Sequence, residues 1–334
     1  MIVAGFELPS SNYLVARLLE DGSLDSSFGT GGKEIGTTDN ISHITGIKLN
    51  KEGKIVLFGN TTAASKNLVV IQLNSDGLPD TNFGTNGSTE VNFGGTEITL
   101  SDFAIDGQGR IVIVGQTNAA TNPNDFAIAR LLPDGSLDTT FGTNGKVQLD
   151  LGNNLASGGI AITRAGKIII LGSNITGADQ MIVAQLNNDG SLDTNFGMNG
   201  STVIGVSSNP RGNGGIAINS QGKIYVFGND SNIFIVSRLE KDGSLDSSFG
   251  NNGTKIIPLN VPVDGFGGIT IDAQGRIVVL GTSQNPAQFT VVRLCGDTLP
   301  AFVVALREKV HGKLPVQLKH DSNLERDALS CVSF

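Results

Sequence analysis

Five aspartates recur at one place in the most regular stretch of the chain: Asp25, Asp80, Asp138, Asp193 and Asp246, each inside a run such as DGSLDTTFGTNG. Carboxylates followed by Ser, Thr or Asn offer hard oxygen ligands, and calcium is the cation that such oxygens suit. The run lacks the dense D-x-D-x-D-G order of a calcium loop. Aspartate at a turn also accepts backbone N–H bonds as a matter of course, so turn capping is the expected role and calcium the weaker candidate. A cation recurs as well, at Lys54, Arg110, Lys167, Lys223 and Arg276, each just after a Gly turn. On a shared rim the two sets pair, and a ring of such pairs locks successive repeats, each worth about 0.2–1 kcal/mol when exposed.

Other chemistry is thin. His43 is the one histidine of the repeats and has no partner at metal-ligand spacing. There is no G-x-S-x-G and no phosphate-binding G-x-x-x-x-G-K-[ST]. Cys295, Cys331, His311 and His320 all fall in the last forty residues, where a dyad or zinc site is the minor reading. No catalytic residue and no cofactor are assigned, and the expected class is not an enzyme.

The aspartates belong to a twelve-residue run with five copies, starting at Asp21, Asp76, Asp134, Asp189 and Asp242. Each copy carries a phenylalanine (Phe28, Phe83, Phe141, Phe196, Phe249), at successive steps of 55, 58, 55 and 53 residues. Self-similarity at such a period specifies a repeat architecture. Four β-branched segments follow one another in each period, bounded by Gly, Asn and Asp. They are strand a after the run (GKVQL), strand b (IAITRAG), strand c (KIIILG) and strand d, which ends in Leu (MIVAQL). A tight b–c turn makes b and c antiparallel neighbours. Small sheets that cannot bury both faces alone favour radial repetition. The expected fold is all-β: a β-propeller of about six four-stranded blades, one of them incomplete, with a five-bladed alternative. The phenylalanines fill the core between blades, and the Asn-Gly turns at Asn86, Asn144, Asn199 and Asn252 require positive φ.

Residues 2–18 read as strands c and d alone, ahead of the five full repeats. Residues 1–294 form the repeat domain. From Cys295 the pattern stops, and apolar residues at Leu299, Phe302, Leu306, Val310 and Leu314 are spaced for a helix. A capping-box spacing at Ser322–Glu325 suggests a second one. Residues 295–334 are therefore expected to be a short helical tail, unable to complete the half-repeat.

The unit DGSLDxxFGxxGK, then IAIDxxGKIVVxG, then xxFxVARL, resembles the bacterial delta-60 repeat family over residues 2–294. The resemblance implies a propeller-like architecture on secreted or surface-attached bacterial proteins, and no catalytic residues. The chain opens on MIVAG without a basic segment or cleavage signal, so export is not supported by its own start. A net charge of −8 argues against nucleic acid, and no apolar run reaches the roughly 18 residues of a membrane span.

The d–a and b–c links barely change between repeats. The a–b links (about 36–42, 92–101, 149–158, 204–214, 257–267) and c–d links (about 60–66, 116–124, 173–179, 229–232, 282–288) differ in length and sequence. Divergent loops on a regular scaffold carry specificity. The expected function is a non-catalytic binding or scaffold module for a protein or polysaccharide. The alternatives are a propeller hydrolase or lactonase with a metal in its channel, and a truncated fragment without evolved function.

Overall fold

The computed structural model describes residues 1–7, 12–36, 41–61, 67–93, 97–118, 124–151, 155–174, 180–205, 210–259, 267–284, 287–294 and 301–307. These residues hold 23 strands and no helix. The strands make six antiparallel sheets, five of them four-stranded.

The first sheet is β1 (Ile2–Glu7), β2 (Asn12–Arg17) and β3 (Lys33–Gly36). The second is β4 (Ile41–Leu49), β5 (Ile55–Thr61), β6 (Leu68–Leu73) and β7 (Ser88–Val91), in that order. The third is β8 (Glu97–Ile105), β9 (Ile111–Asn118), β10 (Phe126–Leu131) and β11 (Lys146–Leu149). The fourth is β12 (Leu155–Ile162), β13 (Ile168–Asn174), β14 (Gln180–Leu186) and β15 (Ser201–Ile204). The fifth is β16 (Arg211–Ile218), β17 (Ile224–Asp230), β18 (Ile233–Leu239) and β19 (Thr254–Pro258). The sixth is β20 (Gly268–Ile271), β21 (Ile277–Gln284), β22 (Ala287–Leu294) and β23 (Ala301–Arg307).

Each sheet therefore groups strands b, c and d with the a strand that follows them, not the one that precedes them. The cause lies in the twelve-residue run. Its backbone ties d to a directly: Asp80 N–H donates to the Gln72 carbonyl and Gln72 N–H to the Gly87 carbonyl, both at 2.9 Å. The a–b link crosses to the next sheet instead. The first sheet consequently lacks only b, and the a strands are edge strands far from b.

The tail corrects the helix expectation. Ala301–Arg307 is a strand that pairs antiparallel with β22, from Leu294↔Ala301 to Gln288↔Arg307. Phe302, Val304 and Leu306 also alternate, the adjacent Val303 and Val304 are β-branched, and β22 presents the edge that receives an a strand in every other sheet. The remaining tail residues, with Ser322–Glu325, lie outside the described residues.

The fold divides into two compact units, one with the first three sheets and part of the fourth, the other with the rest. In the first, Tyr13, Val15 and Phe28 pack with Ile55, Leu57, Val69 and Ile71. A second cluster there joins Val56, Phe58 and Val70 to Phe103, Ile111 and Ile113. In the second unit, Tyr225, Phe227 and Phe249 pack with Ile277, Val279 and Val292. Sheet thus packs on sheet through residues that alternate along each strand. The Asn-Gly turns have the expected geometry: φ is 51°, 51°, 53° and 48° at Asn86, Asn144, Asn199 and Asn252, with a positive-φ glycine after each.

Candidate functional site

Asp25, Asp80, Asp138 and Asp246 each divide their oxygens between two tasks. Oδ1 closes the local turn. Asp138 accepts the Thr140 N–H at 3.1 Å and its hydroxyl at 2.6 Å. Ser248 makes the same two bonds to Asp246, and Ser27 to Asp25; Asp80 accepts the Asn82 N–H at 3.1 Å. Oδ2 faces the recurring cation, Lys54 with Asp80 at 2.7 Å, Lys167 with Asp193, and Lys223 with Asp246. In the third sheet Arg110 turns to Asp106 (2.6 Å) and stands 3.8 Å from Asp138. Arg276 turns likewise to Asp272 (2.6 Å).

These pairs lie within a sheet, between the start of c and the d–a link, so they do not lock successive sheets as the sequence suggested. That joint is made elsewhere in the same run. Gly29 N–H donates to the Asp76 carbonyl, Gly84 to Asp134, Gly142 to Asp189 and Gly197 to Asp242, each at 2.7 Å. The buried phenylalanine covers the Asp-Gly glycine of the next run: a Cβ on Gly77 would lie 2.7 Å from the Phe28 ring, and Gly243 meets Phe196 in the same way. Phe28, Phe83, Phe141, Phe196 and Phe249 are all fully buried, as core residues between blades should be.

One partner escaped the sequence reading. The residue before the final Leu of strand d also bonds the carboxylate: Arg17 to Asp25 at 2.7 Å, Gln72 to Asp80 at 2.9 Å, Arg130 to Asp138 at 2.8 Å and Arg238 to Asp246 at 2.7 Å. Its signal was present, since the d strands end ARL, IQL, ARL, AQL, SRL and VRL. Where it is Arg, the guanidinium also lies over the phenylalanine ring, 4.9 Å from Phe28, 4.5 Å from Phe141 and 4.8 Å from Phe249. It reaches the next sheet too: Arg17 donates to the Ser75 carbonyl at 2.6 Å and Arg130 to the Asn188 carbonyl.

Charges on this rim are paired. The second sheet sets Lys54 against Asp80, with the exposed Glu52 3.8 Å from the same ammonium and a neutral Gln72, and the fourth sets Lys167 against Asp193. The third sets Arg110 and Arg130 against Asp106 and Asp138. The fifth sets Lys223 and Arg238 against Asp246 and Glu240, with Lys223 3.0 Å from Glu240. Burial by itself raises the carboxyls of Asp80, Asp138 and Asp246, but bonds from Lys54, Thr140 and Lys223 respectively, with their neighbours, hold all three below the ordinary carboxylate range. Burial, and then Arg110, lower the pKa of Arg130, which Asp138 opposes.

This accounts for the calcium candidates. The oxygens of Asp138 and Asp246 already serve N–H, hydroxyl and cation, and those of Asp80 an N–H, the Gln72 amide and a cation; among the described residues no three His, Cys, Asp or Glu gather where a metal would sit. The strands nearest their neighbours in adjacent sheets are b strands such as β4, β8 and β12, not the a strands. Their polar groups are paired too: Lys48 with Asp102 at 2.8 Å, and the Ser101 hydroxyl, at a bulge in β8, with the Ser157 carbonyl at 3.0 Å. A groove of about 900 Å³ in the first unit is lined by Phe93, Thr143, Lys146, Gln148, Asp189 and Ser191 among others. Part of each variable a–b and c–d link, 229–232 excepted, lies outside the described residues, as do Cys295, Cys331, His311 and His320.

The family described as "Domain of unknown function (DUF5122) beta-propeller" matches residues 1–28, 52–83, 109–141, 166–196 and 220–249, just under half of the chain. Each matched segment ends on the recurring phenylalanine and holds the carboxylate and its d-strand partner. A search of curated proteins gives no match. Among solved structures, a protein of unknown function from Bacteroides caccae is 13% identical, with 74% of this chain and 72% of that one covered at a TM-score of 0.43. A putative oxidoreductase (glucose dehydrogenase) from Thermus thermophilus is 15% identical, covering 88% and 99% at 0.43. A Synechocystis apocarotenoid oxygenase mutant is 11% identical, covering 92% and 71% at 0.48. At such identities and scores nothing about activity passes to this chain. With six small antiparallel sheets and five segments similar to one propeller repeat family, the chain is a β-propeller repeat protein.

Proposed function

We propose that the chain is a non-catalytic binding or scaffold module, recognising a protein or polysaccharide through the end of the sheets that carries the a–b and c–d links. The use made of the carboxylates on the opposite rim carries this reading. Asp25, Asp80, Asp138 and Asp246 are each spent on a turn and a cation, so the repeated residues build the frame and the links that differ are left to confer selectivity. The finer assignment to delta-60 repeats, with a bacterial surface or secreted setting, is part of the same proposal.

The test is binding of the purified chain to immobilised neutral and acidic polysaccharides, compared with a variant in which residues 62–66 and 119–123 are replaced by Gly-Ser linkers. Saturable binding to one class of glycan, weakened about tenfold or more in the variant with the far-ultraviolet spectrum unchanged, supports the reading. Equal binding by both proteins, or calcium-dependent turnover of lactone substrates by the unmodified chain, overturns it.

A further inference from the structure

Four of the chain's five Asn-Gly pairs close the recurring run, at Asn86, Asn144, Asn199 and Asn252. Asn-Gly is a pair in which a polypeptide readily modifies itself, because no side chain on glycine hinders its nitrogen. That nitrogen attacks the asparagine Cγ. One C–N bond forms, the bond from Cγ to the side-chain amide breaks, and ammonia leaves. Water then adds to either carbonyl of the five-membered imide and opens it to aspartate or to isoaspartate. Isoaspartate carries an extra carbon in the main chain. Water is the one co-reactant, and all four asparagines are exposed.

The nucleophile is not exposed. Gly87, Gly145, Gly200 and Gly253 are buried, and each N–H is already engaged. They donate to the carbonyls of Phe83, Phe141, Phe196 and Phe249 at 3.0, 2.9, 2.8 and 2.9 Å respectively. Three of these glycines are held at the other end as well. The carbonyls of Gly87, Gly145 and Gly253 accept the N–H of Gln72, Arg130 and Arg238 on strand d, at 2.9, 3.0 and 2.8 Å. To attack, the nitrogen has to release its proton and turn towards Cγ, which carries the glycine out of these bonds.

We propose that the four turns are latent deamidation sites, each held shut by its own d–a link, so that conversion to aspartate or isoaspartate marks opening of that link. Local opening then sets the rate, with the intrinsic reactivity of Asn-Gly as its ceiling. The step is irreversible. The lengthened main chain of isoaspartate displaces the glycine from its bonds, so a link that has reacted stays weakened. The first run shows that the turn itself does not require asparagine. Gly31 stands there with φ 62°, and Gly32 still donates to the Phe28 carbonyl at 2.9 Å.

The experiment incubates the full chain at mildly alkaline pH, folded and in urea, and follows each asparagine by peptide mapping and mass spectrometry. Deamidation at each of the four sites is expected to be about tenfold or more slower in the folded chain. Asp80→Ala loosens the second link alone. It is expected to speed deamidation at Asn86 about threefold or more and to leave Asn144, in the neighbouring link, unchanged. Gln72→Ala serves the same purpose if Asp80→Ala does not fold. Equal rates in the folded and unfolded chain at any of the four sites overturn the proposal. So does a rise in the variant as large at Asn144 as at Asn86, which would make unfolding of the whole unit, not opening of one link, the route to the product.

Discussion

The second and third sheets hold the same carboxylate in the same turn by different means. In the second, Asp80 faces one cation, Lys54, and a neutral Gln72, and the residue four before Lys54 is Asn50. In the third, Asp138 faces Arg130, the second cation is Arg110, and the residue four before Arg110 is Asp106. An extra guanidinium on strand d thus comes with a buried carboxylate at the b–c turn, where the second sheet has Asn50 and only the exposed Glu52, 3.8 Å from Lys54. An uncompensated buried charge is costly, so charge enters such a site in pairs. The added Arg brings contacts that Gln cannot make, over the Phe141 ring and onto the Asn188 carbonyl of the next sheet. The fifth sheet reaches the same balance with Glu240 instead, so the rule concerns total charge at the rim more than any one position.

Removal of the carboxylate breaks the comparison most severely. Arg130 is 2% exposed and has no route to water, so Asp138→Ala is expected to destabilise the first unit by about 3–5 kcal/mol. Lys54 has a side chain 28% exposed and can turn outward, so Asp80→Ala is expected to lose only about 2 kcal/mol. Both sites belong to one unit, and urea unfolding of the two variants under one set of conditions measures the difference; equal losses would refute it. The pH dependence has a definite sign. Both carboxyls titrate below the ordinary range when folded. Their contribution is present above the unfolded value of about 3.9 and is lost as the pH falls through the folded one. The penalty of Asp138→Asn is accordingly expected to shrink when measured below about pH 3.

A smaller effect comes from converting one site towards the other. Gln72→Arg places a second buried cation beside Asp80 with no second buried carboxylate, since Glu52 is 60% exposed, at an expected cost of about 1–2 kcal/mol. Asn50→Asp supplies the missing charge at the position of Asp106. The double variant is expected to recover most of the loss, a coupling of about 1 kcal/mol in a double-mutant cycle. Additive effects would show that the two positions do not read each other's charge.

Much of this rim was legible in the sequence, because its parts repeat at fixed offsets within short spans. The Asp-Gly turns, the buried phenylalanine, the positive-φ asparagines and the Asp–Lys partnership all follow from turn chemistry and strand adjacency. The Arg or Gln of strand d was overlooked because it reads as one more polar residue in an alternating strand. Its role appears only once β10 lies beside the link that holds Asp138. Grouping of strands into sheets failed for a related reason: the repeat as written starts at strand a, whereas the sheet starts at b, and only pairing between distant residues separates the two. The tail misled because Phe302 and Leu306 satisfy both a four-residue and a two-residue spacing. The free edge of β22, invisible in a linear string, decides for the strand.

The smallest effect tests whether the recurring cation of strand c has one role or two. In the second sheet Lys54 is the sole charged partner of Asp80 among the bonds described, so Lys54→Met leaves a buried carboxylate held by Gln72 and a turn N–H. A loss of about 1–2 kcal/mol is expected. In the third sheet Arg130 already neutralises Asp138, and Arg110 pairs mainly with Asp106 four residues away. Arg110→Met leaves Asp106, whose side chain is 6% exposed, without that cation, so a loss of about 1–2 kcal/mol is expected here too. The same residue position is then the counter-ion of the d–a carboxylate where strand d carries Gln and of the b–c carboxylate where it carries Arg. Thermal unfolding of Arg110→Met in an Asp106→Asn background distinguishes the two roles, and a loss that persists there would mean that Arg130 does not neutralise Asp138 alone.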